Sequence, residues 1–373
     1  MLINAISASS FFYLAFVLLV KGRTTNRLAN RWLAAFVIFV GFLQLDDALI
    51  ISGTYFQYPH FYNVFDPFLF GIAPAFYWAA FHFVQPSRRF YWQSLWHFIP
   101  AYLILLLSIP AFLESKAEKL AFLKVLKEKE TVLEPVEMVV FALIFVQCVV
   151  YMVLSYRRIL QHQQNLKKVS STQDGTDLQW FNYFLKGVAL LLLFWGIEII
   201  FYTNFLDGRM SLIYWLGSFY LGFYAIQQKE IYPFAPQELV EIEAIIQEQP
   251  LAHSGASSVD EAQRKQLLSL MEREKPHLDS ELSLPKLAKL MGCSTHELSH
   301  LINQGFERNF YQFINNYRIE ESKKLLSDPK MEHLTILAIG FEAGFNSKTT
   351  FNTTFKQLVG MSPVEFRKSK TMA

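Results

Sequence analysis

The chain has 373 residues, of which 52% are hydrophobic and 16% aromatic, and its formal net charge is +2. This length predicts two or three domains, and the two cysteines, Cys148 and Cys293, exclude a disulfide framework or a cysteine-rich metal site. The hydrophobic residues are concentrated in residues 1–228, whereas the remaining residues have the composition of a soluble protein. The sequence therefore predicts a membrane part followed by a soluble part.

Seven apolar runs in the first 228 residues approach the length of a membrane-spanning helix, which is about twenty residues. A buried helical core is the alternative interpretation, but seven such runs exceed what a soluble domain of this size needs. Basic residues follow the first run rather than precede it, which is the reverse of a secretory signal. The predicted spans are residues 3–20, 32–52, 64–84, 95–113, 136–156, 181–205 and 210–227.

The distribution of lysine and arginine predicts the orientation of these spans. The loops after spans one, three and five carry several basic residues, whereas the loop at residues 52–63 has none and residues 207–209 have one. The loop at residues 114–134 departs from this pattern, because it contains five lysines together with five glutamates. Basic loops lie mainly in the cytoplasm. We therefore expect a multi-pass protein of the inner membrane. Its N-terminus is expected outside the cell membrane and its C-terminal domain in the cytoplasm.

Four acidic residues lie within or at the ends of predicted spans: Asp46 and Asp47 in span two, Asp66 at the start of span three, and Glu198 in span six. Ionisable groups in membrane helices are unfavourable unless they face the bundle interior or water. One interpretation is that these carboxyl groups sense a proton, an ion or a small ligand. The other is that they are solvated at the interface or cap a helix.

A polar stretch follows the last span. Residues 229–250 have Leu239, Ile242 and Ile246 on one helical face, and residues 251–260 resemble a flexible linker. Residues 260–275 predict one more helix. These helices either pack on their neighbours or associate with a second copy, which makes a homodimer an expected partner. The predicted domains are 1–228 (seven-span membrane domain), 229–275 (helical linker) and 276–373.

The last hundred residues contain the most specific pattern in the chain. Thr335 is suited to cap a short helix, Gly344 to end it with a left-handed turn, and Ser347 to cap a second helix. Two short helices joined by a tight glycine turn form a helix-turn-helix. The second helix has a polar outward face that is suited to the DNA major groove. This face consists of Lys348, Thr349, Asn352 and Thr353.

The same arrangement occurs once more upstream. Residues 284–291 predict a helix with Leu287 and Leu290 inward, Gly292 ends it, and Ser294 and Glu297 form a capping box. The predicted outward face of the following helix consists of His296, Ser299, His300 and Asn303. Residues 311–326 predict a helix of about 24 Å between the two motifs. Its predicted water-facing residues are Arg318, Glu320, Glu321, Lys323 and Lys324.

Residues 282–367 resemble the double helix-turn-helix DNA-binding domain of AraC-type transcription regulators. The resemblance rests on the runs F-I-N-N-Y-R-I-E-E-S-K-K-L-L, G-F-N-S-K-T-T-F-N-T-T-F-K and G-M-S-P-V-E-F-R, and it covers about a quarter of the chain. It implies an all-α fold and base-reading positions at His296, Ser299 and His300 and at Lys348, Thr349 and Thr353. Many members of the family carry arginine or glutamine at these positions.

Together these features predict a membrane-bound transcription regulator that binds double-stranded promoter DNA. The chain has no P-loop, dinucleotide-binding, zinc-protease or nucleophile-elbow motif, so we expect neither an enzyme nor a cofactor. From residue 260 onward 16 Lys and Arg oppose 14 Asp and Glu, a net charge of +2, which predicts modest non-specific DNA affinity. Two alternatives are a transporter or membrane enzyme with a regulatory tail and a membrane scaffold whose helix-turn-helix domain binds protein.

Overall fold

The computed structural model describes residues 1–21, 26–85, 90, 92–128, 135–172, 175–201, 209–229, 241–242, 245–246 and 261–371. Helices dominate this part of the chain, and it contains no β-strand. The chain divides into two compact units. The first consists of residues 1–160 and 178–231, and the second consists of residues 161–177 and 232–373.

The first unit contains nine helices among its described residues, and the last part of the seventh extends into the second unit. They are α1 (Leu2–Lys21), α2 (Arg27–Ile51), α3 (Thr54–Gln57), α4 (Asp66–Val84), α5 (Ile99–Leu113), α6 (Lys116–Glu128), α7 (Pro135–Val169), α8 (Gln179–Phe201) and α9 (Met210–Gln227). Short 3-10 helices at Pro59–Phe61 and Trp92–Phe98 precede α4 and α5.

Aromatic side chains hold the first unit together. Phe12 of α1 meets Phe42 of α2 edge-on at 5.3 Å, and Phe76 of α4 stacks on Phe181 of α8 at 4.6 Å between ring centroids. Gly71 gives the ring of Phe39 room to lie against the α4 backbone, because a Cβ there would stand 2.7 Å from that ring. Offset and edge-on ring pairs stabilise helix contacts by about 0.5–1.5 kcal/mol each beyond their buried area.

Six segments of the described chain are long and apolar enough to cross a membrane: Leu2–Val20, Arg27–Ile51, Pro59–Val84, Trp92–Leu113, Met138–Val169 and Gln179–Ile197. Each of them overlaps one of the first six predicted spans, with ends that differ by up to thirteen residues. The seventh predicted span is also a helix, α9, but it is not among these six. Its eighteen residues include three tyrosines, a tryptophan and a terminal glutamine, which reduce its hydropathy.

The described part of the second unit contains seven further helices. They are α10 (Glu261–Arg273), α11 (Leu284–Met291), α12 (Thr295–Phe306), α13 (Phe310–Ser327), α14 (Ile336–Glu342), α15 (Lys348–Val359) and α16 (Pro363–Thr371). A core of buried Ile319, Ile339, Phe351 and Phe355 joins α13, α14 and α15.

The unit boundaries differ from the predicted domains at two places. Residues 161–177, predicted to be a loop of the membrane domain, group with the C-terminal helices. Helix α10, predicted to be part of a linker, buries Leu267, Leu270 and Met271 within the second unit. Most of the remaining predicted linker, residues 230–260, lies outside the described residues.

Candidate nucleic-acid interface

The first helix-turn-helix is formed by α11 and α12. The Oγ of Ser283 accepts a hydrogen bond from the backbone N–H of Lys286 at 3.4 Å and so caps α11. Gly292 ends α11 with φ of 71°, a left-handed conformation that favours glycine. The predicted capping box opens α12, because Glu297 N–H donates to Ser294 Oγ at 3.2 Å and Ser294 N–H donates to Glu297 Oε2 at 2.8 Å. These bonds lower the pKa of Glu297 and keep its carboxylate charged.

The second helix-turn-helix is formed by α14 and α15. Thr335 Oγ1 accepts from Ala338 N–H at 3.1 Å, and Ser347 Oγ accepts from Thr350 N–H at 3.5 Å. Both predicted caps are therefore present. Gly344 has φ of 91° in the turn between the helices. Phe351 and Phe355 lie one turn apart on α15, and both are buried.

Helix α13 connects the two motifs. Its 18 residues span about 27 Å, and Asn309 and Gln312 form a capping box at its start. Arg318 was predicted to face water, but it is 1% exposed and forms hydrogen bonds inside the unit. The prediction for Leu290 was also wrong, because its side chain is 50% exposed rather than inward.

The outward faces of α12 and α15 are polar. On α12, His296 and Asn303 are exposed and His300 is half-buried. Ser299 differs from the prediction, because it is buried and its Oγ accepts a hydrogen bond from Asn303 Nδ2 at 3.4 Å. Position 299 lies on the same helical side as the buried Leu298 and Ile302, which explains the difference.

On α15 the four predicted residues all reach the surface. Lys348, Thr349 and Thr353 are exposed, and Asn352 is half-buried. Side chains near the start of a reading helix contact base edges in helix-turn-helix proteins. Lys348 and Thr349 occupy the first turn of α15 and are therefore suited to that role.

The comparison with known proteins agrees with this geometry. Residues 287–369 match a family described as a helix-turn-helix domain. An uncharacterized HTH-type transcriptional regulator of Staphylococcus aureus (strain COL) is 30% identical over 115 residues, covering 31% of this chain and 15% of the relative. The arabinose operon regulatory proteins of Salmonella typhimurium and Escherichia coli are both 33% identical over 89 residues. These residues make up 24% of this chain and 31% and 30% of the two relatives.

The C-terminal part of the chain is an AraC-type helix-turn-helix domain. The matches cover only 15–31% of these three relatives, so the similarity concerns this domain and not the whole protein. No solved structure matches the chain. The resemblance predicted from the sequence is confirmed for the domain.

The AraC-type domain exposes further polar residues that the prediction omitted. Lys356 and Gln357 are exposed on the last two turns of α15, and Gln304 is exposed near the end of α12. Lys356 follows Asn352 and Thr353 at helical spacing of four and three residues, so the face is continuous. That spacing was visible in the sequence and identifies Lys356 as a candidate DNA contact.

The predicted sensing residues lie in the first unit. The Tyr55 hydroxyl donates a hydrogen bond to Asp46 Oδ1, and the buried Gln44 side chain donates to Asp47 Oδ2 at 3.5 Å. Asp66 is the first residue of α4 and is exposed. Glu198 belongs to α8, but its side chain is outside the described structure. Within the described residues, no three His, Cys, Asp or Glu side chains have metal-binding geometry.

Proposed function

We propose that this protein is a membrane-embedded transcription regulator that binds promoter DNA through its AraC-type domain. The main support for this proposal is that one chain combines this domain with six helices of membrane-spanning length and composition. The membrane helices would detect a signal outside the cell or within the bilayer. A shift between two states of these helices would then change the DNA affinity of the domain.

Helix α5 supports the membrane location most directly. Fourteen of its fifteen residues are apolar, yet it contains no buried residue. Leu107 and Leu113 are 75% and 80% exposed. The one polar residue, Ser108, donates its hydroxyl to Ile104 O at 2.9 Å within the helix. An apolar helix with this exposure is stable in lipid and would promote aggregation in water.

The two chain segments that form the second unit support seven crossings of the membrane. The chain leaves this unit after residue 177, passes through α8 and α9, and returns to it at residue 232. As a domain of soluble composition, the second unit lies on one side of the membrane, so the chain between these points crosses an even number of times. If α8 is a span, α9 is also a span, even though it is less apolar than the other six helices.

The same connection supports a cytoplasmic AraC-type domain. The fifth loop carries Arg157, Arg158, Lys167 and Lys168, and basic loops favour the cytoplasmic side. Residues 161–177 of that loop belong to the same unit as the AraC-type domain. The positive charges that orient the loop therefore also orient the domain. This side of the inner membrane is where the chromosome lies.

The sensing part of the proposal rests on the carboxyl groups of the membrane helices. Asp46 and Asp47 are consecutive, so they project about 100° apart on α2 and have different neighbours. A carboxylate in a membrane helix favours a proton, a cation or a cationic ligand as its partner. We therefore propose a small ligand or ion of this class as the signal, with the lipid bilayer and promoter DNA as further partners and a homodimer as the DNA-bound form.

The experiment is genome-wide mapping of the DNA bound by the full-length protein, followed by affinity measurements in lipid nanodiscs. Lys348→Ala and His300→Ala should weaken binding to the mapped site by about 1–3 kcal/mol and relax its sequence preference. Lys324→Ala is the matched control, because this lysine is 72% exposed on α13 and its ammonium group lies 3.4 Å from Glu321 Oε2 of the same helix. Absence of any specific site would favour the scaffold alternative.

A further inference from the structure

The segment between α7 and α8 forms part of the AraC-type domain. Ser170 pairs with Ser283 in an isolated antiparallel β-bridge. Ser171 is fully buried, and both its backbone N–H and its hydroxyl donate to Leu282 O, at 3.3 and 2.6 Å. Residues 170–172, which we call the strap, therefore contact the chain directly before the first helix-turn-helix.

Arg318 of α13 ties the strap to the centre of the domain. Its Nη1 donates to Ser171 O and its Nη2 to Ser171 Oγ, both at 3.0 Å. The same guanidinium donates to the carbonyl oxygens of His277 and Asp279, each at 2.8 Å. Burial lowers the pKa of Arg318 to about 10, so the group remains charged at neutral pH. A buried charge that loses hydrogen-bond acceptors is strongly destabilised, so Arg318 favours the docked strap.

The strap also contacts both helix-turn-helix motifs. Ser283, the bridge partner of Ser170, is the N-cap residue of α11. Thr172 Oγ1 donates to Asn346 Oδ1 at 2.8 Å, one residue before Ser347, the N-cap of the reading helix α15. Three consecutive residues therefore touch the start of the first motif and the turn before the second helix of the second motif. A small displacement at these points changes the direction of the helices that follow.

Helix α7 ends directly before the strap. It is a continuous helix of 35 residues, about 52 Å long, and it ends at Val169. Two side chains near its end hold the returning segment: His162 Nε2 lies 2.9 Å from Thr176 O, and Gln163 Nε2 donates to Asp177 O at 3.0 Å. The segment that contains the strap is thus attached to the end of α7 through the chain at Val169 and through these two contacts, so we expect the strap to follow a movement of α7.

We propose that the strap is the element through which the membrane helices regulate DNA binding. A rotation or shift of α7 would displace Ser171 from Arg318 and release the shared support of both motifs. The docked strap holds α12 and α15 in the arrangement that binds DNA, and the released strap lowers DNA affinity. This inference rests on the proposed function and adds the route by which the signal reaches the domain.

The first test releases the strap in the full-length protein in nanodiscs. Ser171→Ala removes the hydroxyl that bonds to both Leu282 and Arg318, and we expect about a tenfold loss of affinity for the mapped DNA site. Ser322→Ala is the matched control, because Ser322 is equally buried but its hydroxyl bonds only within α13, to Ile319 O at 2.8 Å. The control should bind as the wild type does.

The second test locks the strap. Ser170→Cys with Ser283→Cys, in a background with Cys148→Ala and Cys293→Ala, replaces the bridge pair. The flanking bond from Ser171 N–H to Leu282 O makes this a non-hydrogen-bonded pair, whose Cα atoms lie about 4.5 Å apart. A disulfide can span that distance. Ser171→Ala is then added to this cysteine-pair protein. Oxidation should restore its affinity for the mapped DNA site, and reduction should lower the affinity again.

The outcomes separate the two proposals. Rescue by the disulfide supports the strap as a positional device and excludes a general folding defect in Ser171→Ala. Wild-type affinity in Ser171→Ala, failure of the disulfide to form in membranes, or a formed disulfide that leaves the affinity loss unchanged would overturn the strap while the proposed function stands. A wild-type protein without a specific DNA site would overturn the proposed function and the strap with it.

Discussion

Gly344 is the residue on which the second helix-turn-helix depends most closely. Its φ of 91° is disfavoured for side-chain-bearing residues, and a Cβ there would collide with the carbonyl oxygen of His277 and stand 3.1 Å from Arg318 Nε. We expect Gly344→Ala to destabilise the AraC-type domain by about 3–5 kcal/mol, because strain and a backbone clash add. Amide hydrogen exchange of residues 335–360 in the full-length protein measures this loss.

Gly292 provides the control for this prediction. It has a similar left-handed φ of 71°, but its added Cβ would meet nothing within 4 Å. Gly292→Ala should therefore show the strain alone, about 1–2 kcal/mol. Equal losses at the two glycines would contradict the role of the contact between Gly344 and the His277 backbone.

His277 makes the stability of the AraC-type domain depend on pH. Its ring is 3% exposed, its Nδ1 has no hydrogen-bond partner among the described residues, and burial lowers its pKa to about 4. The unfolded residue titrates near 6.5. Protonation therefore favours the unfolded state as the pH falls from about 6.5 to 4, with a loss of up to ~3 kcal/mol.

The test compares wild type with His277→Gln, which does not titrate. Hydrogen exchange of residues 276–345, corrected for the intrinsic rates, should become faster in the wild type between pH 7 and 5. The variant should lose much of this dependence. The charged neighbours of His277 are present in both proteins: Lys275, Arg318, Glu321 and Lys324. An identical pH slope in the two proteins would contradict the assignment.

At the scale of elements, we expect the start of α15 to contact base edges and its end to contact phosphate groups. Lys348 and Thr349 lie in its first turn, whereas Lys356 lies near its end with an exposed side chain. We expect Lys356→Ala to weaken binding to all DNA sequences by a similar factor and to reduce the slope of log affinity against log salt by about one. Lys348→Ala should change the sequence preference instead. Salt titrations on specific and scrambled DNA measure both effects.

The helices were predictable from the sequence because their boundaries are set by local chemistry. Caps at Ser283, Ser294, Thr335 and Ser347, together with the two glycines, determine where each helix starts and ends without help from distant residues. The polar surface face of α15 was predictable from its helical periodicity. At Ser299 the periodicity allows either an outward or an inward side chain. In the structure Ser299 lies on the buried side of α12 with Leu298 and Ile302.

Contacts that depend on distant segments were not predictable. Arg318 has the composition and spacing of a water-facing residue, and its burial depends on acceptors from residues 171, 277 and 279. Two of these residues lie about 40 positions from Arg318 and the third lies 147 positions away. The sequence near Arg318 therefore cannot predict these contacts. The strap was predicted to be an ordinary loop for the same reason.

At the scale of the whole molecule, the sharpest prediction concerns sidedness. A reporter inserted after residue 57 should lie outside the cytoplasm. Reporters inserted after residue 172 or fused after Ala373 should both lie in the cytoplasm. The loop at residues 52–63 has no basic residue, and the other two positions belong to one compact unit. A phosphatase that works only outside the cytoplasm and a fluorescent protein that works only inside it give opposite signals at each point. The phosphatase fused to a chain that ends after residue 205 should be active, because α8 would carry it out of the cytoplasm. This fusion tests whether α8 crosses the membrane independently of α9. Opposite sides for residues 172 and 373 would mean that α9 does not cross, and it would contradict both the seven-span topology and the unit that contains the strap.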